Sequence, residues 1–153
     1  MKRILISVMC VPLLLAGCMS NDARTPQDAQ LLQAVENGDL PAVKMALSQG
    51  ANVNTIDKDG MSALIWSAGN GHIEIVRLLL EKGANVNAKT AGMTALWAAL
   101  YQGHTEIIKL LLEKGADVNV KVKYNNIERT TLEAAKEMGN TDIIQLLEKA
   151  GAK

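Results

Sequence analysis

A five-residue motif, Gly-Ala-Asn/Asp-Val-Asn, recurs along this chain and constrains its fold more than any other feature. It begins at Gly50, Gly83 and Gly115, so successive copies start 33 and 32 residues apart. A fixed period of this length means that one supersecondary unit is used repeatedly. Stacked units of this kind make an extended surface, which more often holds a partner than performs chemistry.

The composition agrees with a small globular protein. The chain has 153 residues, of which 48% are hydrophobic and 21% are charged, as expected for one domain. The 16 basic and 16 acidic residues leave no formal net charge. Nucleic acid is therefore not an expected partner, because its binding depends on positive charges that neutralise phosphates. Phenylalanine is absent, so small aliphatic side chains must fill the core.

The first residues have the features of a secretory signal. Two basic residues precede the apolar run 4–15, which is too short to span a bilayer. The run ends in Leu15-Ala16-Gly17-Cys18, which resembles a bacterial lipobox. By that resemblance, residues 1–17 are a lipoprotein signal peptide and Cys18 is the lipidated N-terminus of the mature protein. The alternative is an ordinary secretory signal cleaved nearby, with Cys18 as a free thiol.

Membrane attachment of the mature chain would depend on acyl chains. The mature chain has a small excess of acidic residues and gains nothing from anionic lipid, and a single acyl chain binds only marginally. Residues 18–25 would form the lipidated cysteine and a polar tether, which spans roughly 23 Å at most. By resemblance to enterobacterial sorting, Met19 after the cysteine favours the outer membrane over the inner one. We expect a lipid-anchored protein of the cell envelope that faces the periplasm.

Each unit also carries a glycine between two helical segments. Polar first turns and hydrophobic runs follow these glycines, with acidic residues at the helix starts and lysines near the ends, as the helix dipole favours. At the beginning of the first unit, Thr25, Pro26 and Asp28 form a helix-start signal. The pattern predicts one helix-turn-helix pair around each of the glycines Gly38, Gly71, Gly103 and Gly139.

Several motifs recur in register and identify a family. The stretch Thr94-Ala95-Leu96-Trp97-Ala98-Ala99, like its counterparts at 62–68 and 130–135, resembles the Thr-Pro-Leu-His-x-Ala stretch of ankyrin repeats. Gly71-His72 and Gly103-His104 are similar to the Gly-His turn of that family. The resemblance implies an all-α ankyrin-repeat solenoid of about four helix-turn-helix repeats with β-hairpin fingers. The domain would span 26–153, with repeats at about 26–54, 55–87, 88–119 and 120–153.

The repeats depart from the family pattern at informative positions. Ile65, Trp97 and Glu133 stand where the family has histidine, so apolar packing by Ile65 and Trp97 is expected to replace its hydrogen bonds. Because each repeat leaves its hydrophobic face uncovered, stacking is obligatory and the end repeats need polar outer faces. In the first repeat such a face is offered by Gln30, Gln33, Glu36 and Asn37.

Neither a metal site nor a catalytic site is predicted. His72 and His104 are the only histidines, and two ligands without a third make a poor zinc site, whereas repetition in register favours turn histidines that bond to backbone. The segment Asp57-Lys58-Asp59-Gly60 resembles the start of a calcium loop, but Ala68 stands where the bidentate glutamate is required, so a polar turn is expected. No nucleophile-elbow motif or phosphate loop is present. We expect no cofactor and no enzyme.

Partner contacts are expected on one side of the repeats. By family resemblance, partners meet the fingers and the concave face of the first helices, where residues three or four apart share a face. Tryptophan and tyrosine dominate many interfaces. For Trp66, two interpretations are open: contact with a partner, or packing in the groove against the neighbouring repeat. Trp97 is expected in the core. The candidates in the second and third repeats are Met61, Trp66, Asn70, Met93, Tyr101 and Gln102.

The fourth finger is longer than the others. In the segment 120–129, alternating valine and lysine followed by Asn-Asn predict a small hairpin with one basic face. Insertions in repeat proteins often lie on the binding face. One hypothesis is that Lys121, Lys123, Tyr124 and Arg129 touch an acidic patch on a partner. The other is a solvated loop without a partner.

Two functions of different classes are compatible with these patterns. The first is a membrane-anchored protein-protein interaction module that holds another envelope protein. The alternative is an inhibitor or immunity protein that blocks a periplasmic toxin or enzyme. The chain is expected to be a monomer by itself.

Overall fold

Eight helices and one short hairpin make up the described part of the chain. The computed structural model describes residues 25–124 and 126–152, without the side chain of Tyr124. The predicted signal peptide 1–17 and the predicted lipidation site Cys18 lie outside the described residues, as does the tether up to residue 24.

The helices pair in chain order into four helix-turn-helix units. They are α1 (Pro26–Asn37) with α2 (Leu40–Ser48), α3 (Ala63–Gly69) with α4 (Ile73–Glu81), α5 (Ala95–Gln102) with α6 (Thr105–Glu113), and α7 (Thr131–Met138) with α8 (Thr141–Lys149). The first helices contact one another from unit to unit, and so do the second helices. The predicted all-α solenoid of four repeats is confirmed.

Strand pairing is found in the fingers between the repeats. The antiparallel strands β1 (Lys121–Tyr124) and β2 (Ile127–Thr130) form a hairpin in the fourth finger. The second and third fingers each have a single bridge, Ile56 with Ser62 and Thr90 with Met93. The two-stranded sheet of the fourth finger fits the predicted β-hairpin fingers.

Hydroxyl side chains start the first helix of every repeat. Thr25, Ser62, Thr94 and Thr130 each accept a hydrogen bond at 3.2 Å from the backbone N–H three residues later. These bonds satisfy donors that have no partner inside a helix, and so they fix where each helix begins. Glycines in the left-handed region follow three of these helices, namely Gly38, Gly103 and Gly139.

Histidines join neighbouring repeats at the turn glycines. The His72 ring lies so close to Gly38 that a Cβ there would be 2.6 Å from Cε1, and His104 lies against Gly71 with a corresponding distance of 2.8 Å. The His104 Nε2 atom also forms a 3.1 Å hydrogen bond with the carbonyl oxygen of Gly69. The predicted backbone-bonded turn histidine is therefore confirmed for His104.

The core runs without interruption through the four repeats. Branched aliphatic side chains of the second helices, such as Leu79 and Leu111, are fully buried. Trp97 is 3% exposed, which confirms its prediction as a core residue. Val122 of the hairpin is also fully buried. The fourth finger is therefore attached to the stack through its apolar side.

The third residue of the Gly-Ala-Asn/Asp-Val-Asn motif closes its own turn. Asn52 Oδ1 accepts a hydrogen bond from the backbone N–H of Asn54 at 2.9 Å. The equivalent bonds are 3.0 Å from Asn87 N–H to Asn85 and 2.9 Å from Asn119 N–H to Asp117. These are Asx turns, in which a short side chain imitates a backbone turn.

The fifth residue of the motif links one repeat to the next. Asn54 Oδ1 accepts from the Asn85 backbone N–H at 2.9 Å, and Asn87 Oδ1 accepts from the Asp117 backbone N–H at 2.7 Å. Asn87 also donates to the Gly115 carbonyl at 3.1 Å. We call this line of linked residues the asparagine row. At its N-terminal end, Asp28 accepts from the Asn52 backbone N–H at 2.6 Å.

The start of α7 contributes a pH-dependent element of stability. Thr130 and Glu133 form a capping box, and the backbone N–H of Thr130 donates to Glu133 Oε2 at 2.7 Å. This bond, followed by the bond with the Thr130 hydroxyl, holds the pKa of Glu133 below its usual value of 4.5, and Lys121 and Arg129 add to the effect. Since the pKa is lower in the folded protein, ionised Glu133 stabilises the fold above the usual value, and this contribution disappears as the pH falls through the lowered pKa.

We therefore expect the melting temperatures of the wild type and Glu133→Gln to converge as the pH is lowered from about 6 to about 3. Differential scanning calorimetry across this range measures the difference at each pH. Glu81→Gln, a change at an exposed residue ending α4, is the matched control. A Glu133→Gln difference that stays constant with pH would show that the ionised capping box contributes nothing.

Candidate functional site

A groove of about 210 Å³ lies between the second and third repeats. It is formed by α3, α5 and the fingers that precede them. All six candidates that the sequence placed in these repeats line it, together with four further residues. The lining consists of Met61, Ile65, Trp66, Gly69, Asn70, Met93, Trp97, Ala98, Tyr101 and Gln102.

Small residues set the depth of the groove. A Cβ on Gly69 would lie 3.6 Å from the Cβ of Ala98, so α3 and α5 approach closely at this point. Ile65 and Trp97 are almost fully buried and close the floor. Both occupy the positions where the family pattern has histidine. The loss of that polar side chain makes the floor apolar.

Trp66 forms one wall and is held in place by the second finger. Its indole Nε1 donates to Asp57 Oδ2 at 2.6 Å. The other carboxylate oxygen, Asp57 Oδ1, accepts from the backbone N–H groups of Asp59 and Met61 at 2.8 and 2.9 Å. The predicted polar turn is therefore confirmed, and it also orients the tryptophan. This role of Asp57 was not predicted, because the contact joins two side chains nine positions apart in the sequence.

Tyr101 and two carboxamides occupy the remaining sides. Tyr101 is 49% exposed, and Asn70 and Gln102 are exposed at the ends of α3 and α5. The two methionines, Met61 and Met93, are partly buried on the finger side. None of the ten lining residues carries a charge at neutral pH. The groove is therefore apolar along most of its length and has amides at one end.

The hairpin of the fourth finger separates the residues that were predicted to act together. Lys121 and Lys123 pair with Thr130 and Glu128, whereas buried Val122 pairs with Arg129. Directly paired residues share a face of the sheet, so Arg129 lies on the other face from the two lysines.

The four residues of the predicted basic contact therefore do not all lie on one face of the hairpin. Arg129 points towards α7 and pairs with Glu137 at 2.8 Å. Side chains alternate between the two faces of a strand, which explains why Arg129 and the lysines lie on opposite faces. The alternating pattern in the sequence had been recognised only for the residues of β1. The side chain of Tyr124 lies outside the described residues. The basic face of the hairpin is reduced to Lys121 and Lys123.

The hairpin rests on the third finger, beside the groove. The Nζ atom of Lys89 donates to the Lys121 carbonyl at 2.6 Å. A Cβ on Gly92 would lie 4.0 Å from the Lys123 carbonyl oxygen. Because Gly92 precedes Met93 of the groove lining, the groove and the fourth finger adjoin through the third finger.

The comparison with protein families agrees with this geometry. The family model for ankyrin repeats matches residues 31–122 in three copies, which is more than half of the chain. The chain belongs to the ankyrin-repeat family. No curated protein matches it. The match ends within β1, and the helix pair α7 and α8 completes a fourth ankyrin repeat beyond it.

Ankyrin repeats are protein-protein interaction modules, and their fold is typically a non-enzymatic scaffold. Within residues 25–124 and 126–152, no three histidine, cysteine or acidic side chains come together as a metal site would require. No helix among the described residues has the length and apolarity needed to cross a membrane. The groove between the second and third repeats fits the binding of another protein.

A second concavity, of about 370 Å³, lies on the outer side of the first repeat. Ala34, Ala42 and Ala46 line it, Met45 beside them is 61% exposed, and amides form its rim. This is the side on which a preceding ankyrin repeat would stack. Its polar rim includes Gln30, Gln33 and Asn37, which the sequence had proposed for capping. We attribute this concavity to the end of the solenoid, and so the groove between two repeats is the better candidate site.

Proposed function

We propose that this ankyrin-repeat protein is a membrane-anchored interaction module of the bacterial cell envelope. It holds another envelope protein in the groove between the second and third repeats and on the adjoining fingers. The observation that carries the proposal is the convergence of six residues from two repeats on one uncharged groove.

The aromatic side chains supply the binding energy in this proposal. Trp66 and Tyr101 stand on neighbouring first helices, and both offer large contact areas at a low cost in side-chain entropy. The bond to Asp57 fixes the indole of Trp66 before any partner arrives. A preorganised side chain loses less freedom on binding, which favours affinity.

The anchor would keep the groove close to the membrane. The lipobox-like sequence places the lipid at Cys18, and the residues from there to Thr25 form a short tether. The helix α1 begins directly after its cap residue Thr25, so little chain would separate it from the lipid. A partner bound by this protein would be held at the same membrane, and Met19 supports the outer membrane as that location.

Site-specific crosslinking in native membranes tests the proposed binding. A photoreactive amino acid replaces Tyr101 in the full-length, lipidated protein. The matched control carries the same group at Lys109, an exposed residue on the second helix of the same repeat. We expect a defined protein adduct from position 101 and none from position 109. Equal labelling at the two positions, or no adduct from position 101, would refute binding in the groove.

The same experiment separates the two functional classes. A one-to-one complex with a toxin encoded by a neighbouring gene would identify an inhibitor. An adduct with an envelope component would identify the interaction module proposed above.

Loss of the lipidation site is expected to release the protein. Cys18→Ala should move the protein from the membrane fraction to the soluble periplasmic fraction, because acyl chains supply the attachment and the polypeptide has no basic excess to replace them. Cys10→Ala, which changes the other cysteine within the predicted signal peptide, is the control and should leave the protein in membranes. Fractionation and immunoblotting measure the distribution. A Cys18→Ala protein that remains in the membrane fraction would contradict the lipid anchor.

A further inference from the structure

We propose that the groove takes an extended segment of the partner, with one bulky apolar side chain inserted and acidic residues beside it on the third and fourth fingers. This inference rests on the proposed function, and it adds the chemical class of the bound segment.

The size and lining of the groove favour a single apolar side chain. Its volume of about 210 Å³ is below the range of roughly 300–1,000 Å³ that holds drug-sized ligands. Its floor is Ile65 and Trp97, and its finger side is Met61 and Met93. A charged group buried there would meet no opposite charge and would lose its hydration. The inserted side chain is therefore a large aliphatic or aromatic one.

The amides at one end of the groove fit a main chain. A carboxamide has both hydrogen-bond donors and an acceptor, as a peptide unit does. Within the described part of the chain, the carboxamides of Asn70 and Gln102 form no hydrogen bond with another residue. They stand at equivalent positions of neighbouring repeats. An extended segment that crosses both repeats can therefore satisfy them with its backbone N–H and C=O groups.

The fingers beside the groove carry an excess of positive charge. Lys89 on the third finger and Lys121 and Lys123 on the fourth are exposed, and among the described residues none of them forms an ion pair. Glu128 is the one carboxylate on these two fingers. Lys121 also acts on Glu133, and Glu128 lies directly opposite Lys123 on the same face of the hairpin, so Lys89 carries the least compensated of the three charges. Acidic residues complement this arrangement.

The same observations disfavour other occupants. A glycan requires many polar partners, but the lining supplies only two carboxamides and the phenol of Tyr101. A positively charged segment would be repelled by the lysines. The combination of an apolar groove and neighbouring lysines therefore selects an acidic peptide with a hydrophobic anchor.

Fluorescence anisotropy with synthetic peptides tests this inference on the purified full-length chain. The probes are labelled ten-residue peptides with a central phenylalanine and three glutamates on one side, made in both chain directions. One comparison peptide replaces phenylalanine with serine, and another replaces the glutamates with glutamine. We expect the acidic phenylalanine peptide, in its favoured direction, to bind at least about tenfold more tightly than either comparison peptide.

Variants of the protein test which of its residues contact the phenylalanine and which contact the glutamates of the peptide. Tyr101→Ala should weaken binding of the acidic phenylalanine peptide about tenfold or more. The double change Lys89→Gln with Lys123→Gln should weaken binding of the acidic peptide several-fold and change binding of the glutamine peptide little. It should also reduce the salt dependence of acidic-peptide binding. Lys44→Gln, a change at an exposed residue of α2, is the control. Circular dichroism checks that each variant is folded.

Three outcomes would overturn the inference: equal binding of acidic and glutamine peptides, no effect of the lysine changes, or binding of a soluble peptidoglycan fragment in place of the peptides. Its failure is distinguishable from failure of the proposed function. A protein adduct from position 101 without acidic-peptide binding leaves the interaction module standing, with a partner of other chemistry.

Discussion

Replacement of Leu111 with alanine is expected to lower the free energy of unfolding by about 2–5 kcal/mol. Leu111 is fully buried on α6, and this helix packs between α4 and α8. Truncation removes buried methyl groups and leaves a cavity that rigid neighbours fill only in part. Because each repeat depends on contacts with its neighbours, a defect in the third repeat weakens two interfaces.

Urea denaturation followed by circular dichroism measures this change. Leu112→Ala is the matched control, since it removes the same atoms from the next residue of the helix, which is only partly buried. We expect clearly less destabilisation from Leu112→Ala. Equal effects of the two changes would show that Leu111 does not occupy the interior of the stack.

Gly71→Ala is expected to cost roughly 1.5–3.5 kcal/mol of stability, from two separate causes. Gly71 has a φ of +81°, and the left-handed region costs a residue with a Cβ atom roughly 1–2 kcal/mol. The added Cβ would also lie 2.8 Å from Cε1 of His104, so the ring must move away. Its 3.1 Å bond to Gly69 is then lost, at a cost of about 0.5–1.5 kcal/mol.

The chain contains its own control for the first of these causes. Gly103 has a φ of +76° in the equivalent turn, but nothing lies within 4 Å of where its Cβ would be. Gly103→Ala should therefore show the backbone strain alone. In addition, His104→Ala should recover part of the extra cost when it is combined with Gly71→Ala. If the two glycine changes have equal effects in thermal unfolding, the histidine contact has no energetic weight.

Local chemistry explains why the fold was predictable from the sequence. Each first helix begins at a serine or threonine that caps its own N–H groups, and each repeat has its glycine where a left-handed turn is needed. These signals act within a few residues and recur in register. The predicted four-repeat solenoid and the core position of Trp97 follow from them, because tertiary contacts reinforce the same pattern in every copy.

The details of the site depended on contacts that the sequence pattern does not specify. The bond from Trp66 to Asp57 requires the finger turn to bring two residues nine positions apart within 2.6 Å. The position of Arg129 depended on the strand register, since a shift of one residue moves a side chain to the other face. In the short fingers, Thr90 and Met93 form a bridge but no ladder. Each of these outcomes is set by distances between elements.

The asparagine row makes the connections between neighbouring repeats of this protein interchangeable. Asn54 and Asn87 each offer a side-chain Oδ1 atom as acceptor to the next copy of the motif. In both cases the donor is the backbone N–H of the third residue of that copy. A duplicated repeat inserted between them could form the same inter-repeat hydrogen bond on both sides. The number of repeats can therefore change by duplication without a new kind of contact between repeats. The residues lining the groove can meanwhile diverge and fit a new partner.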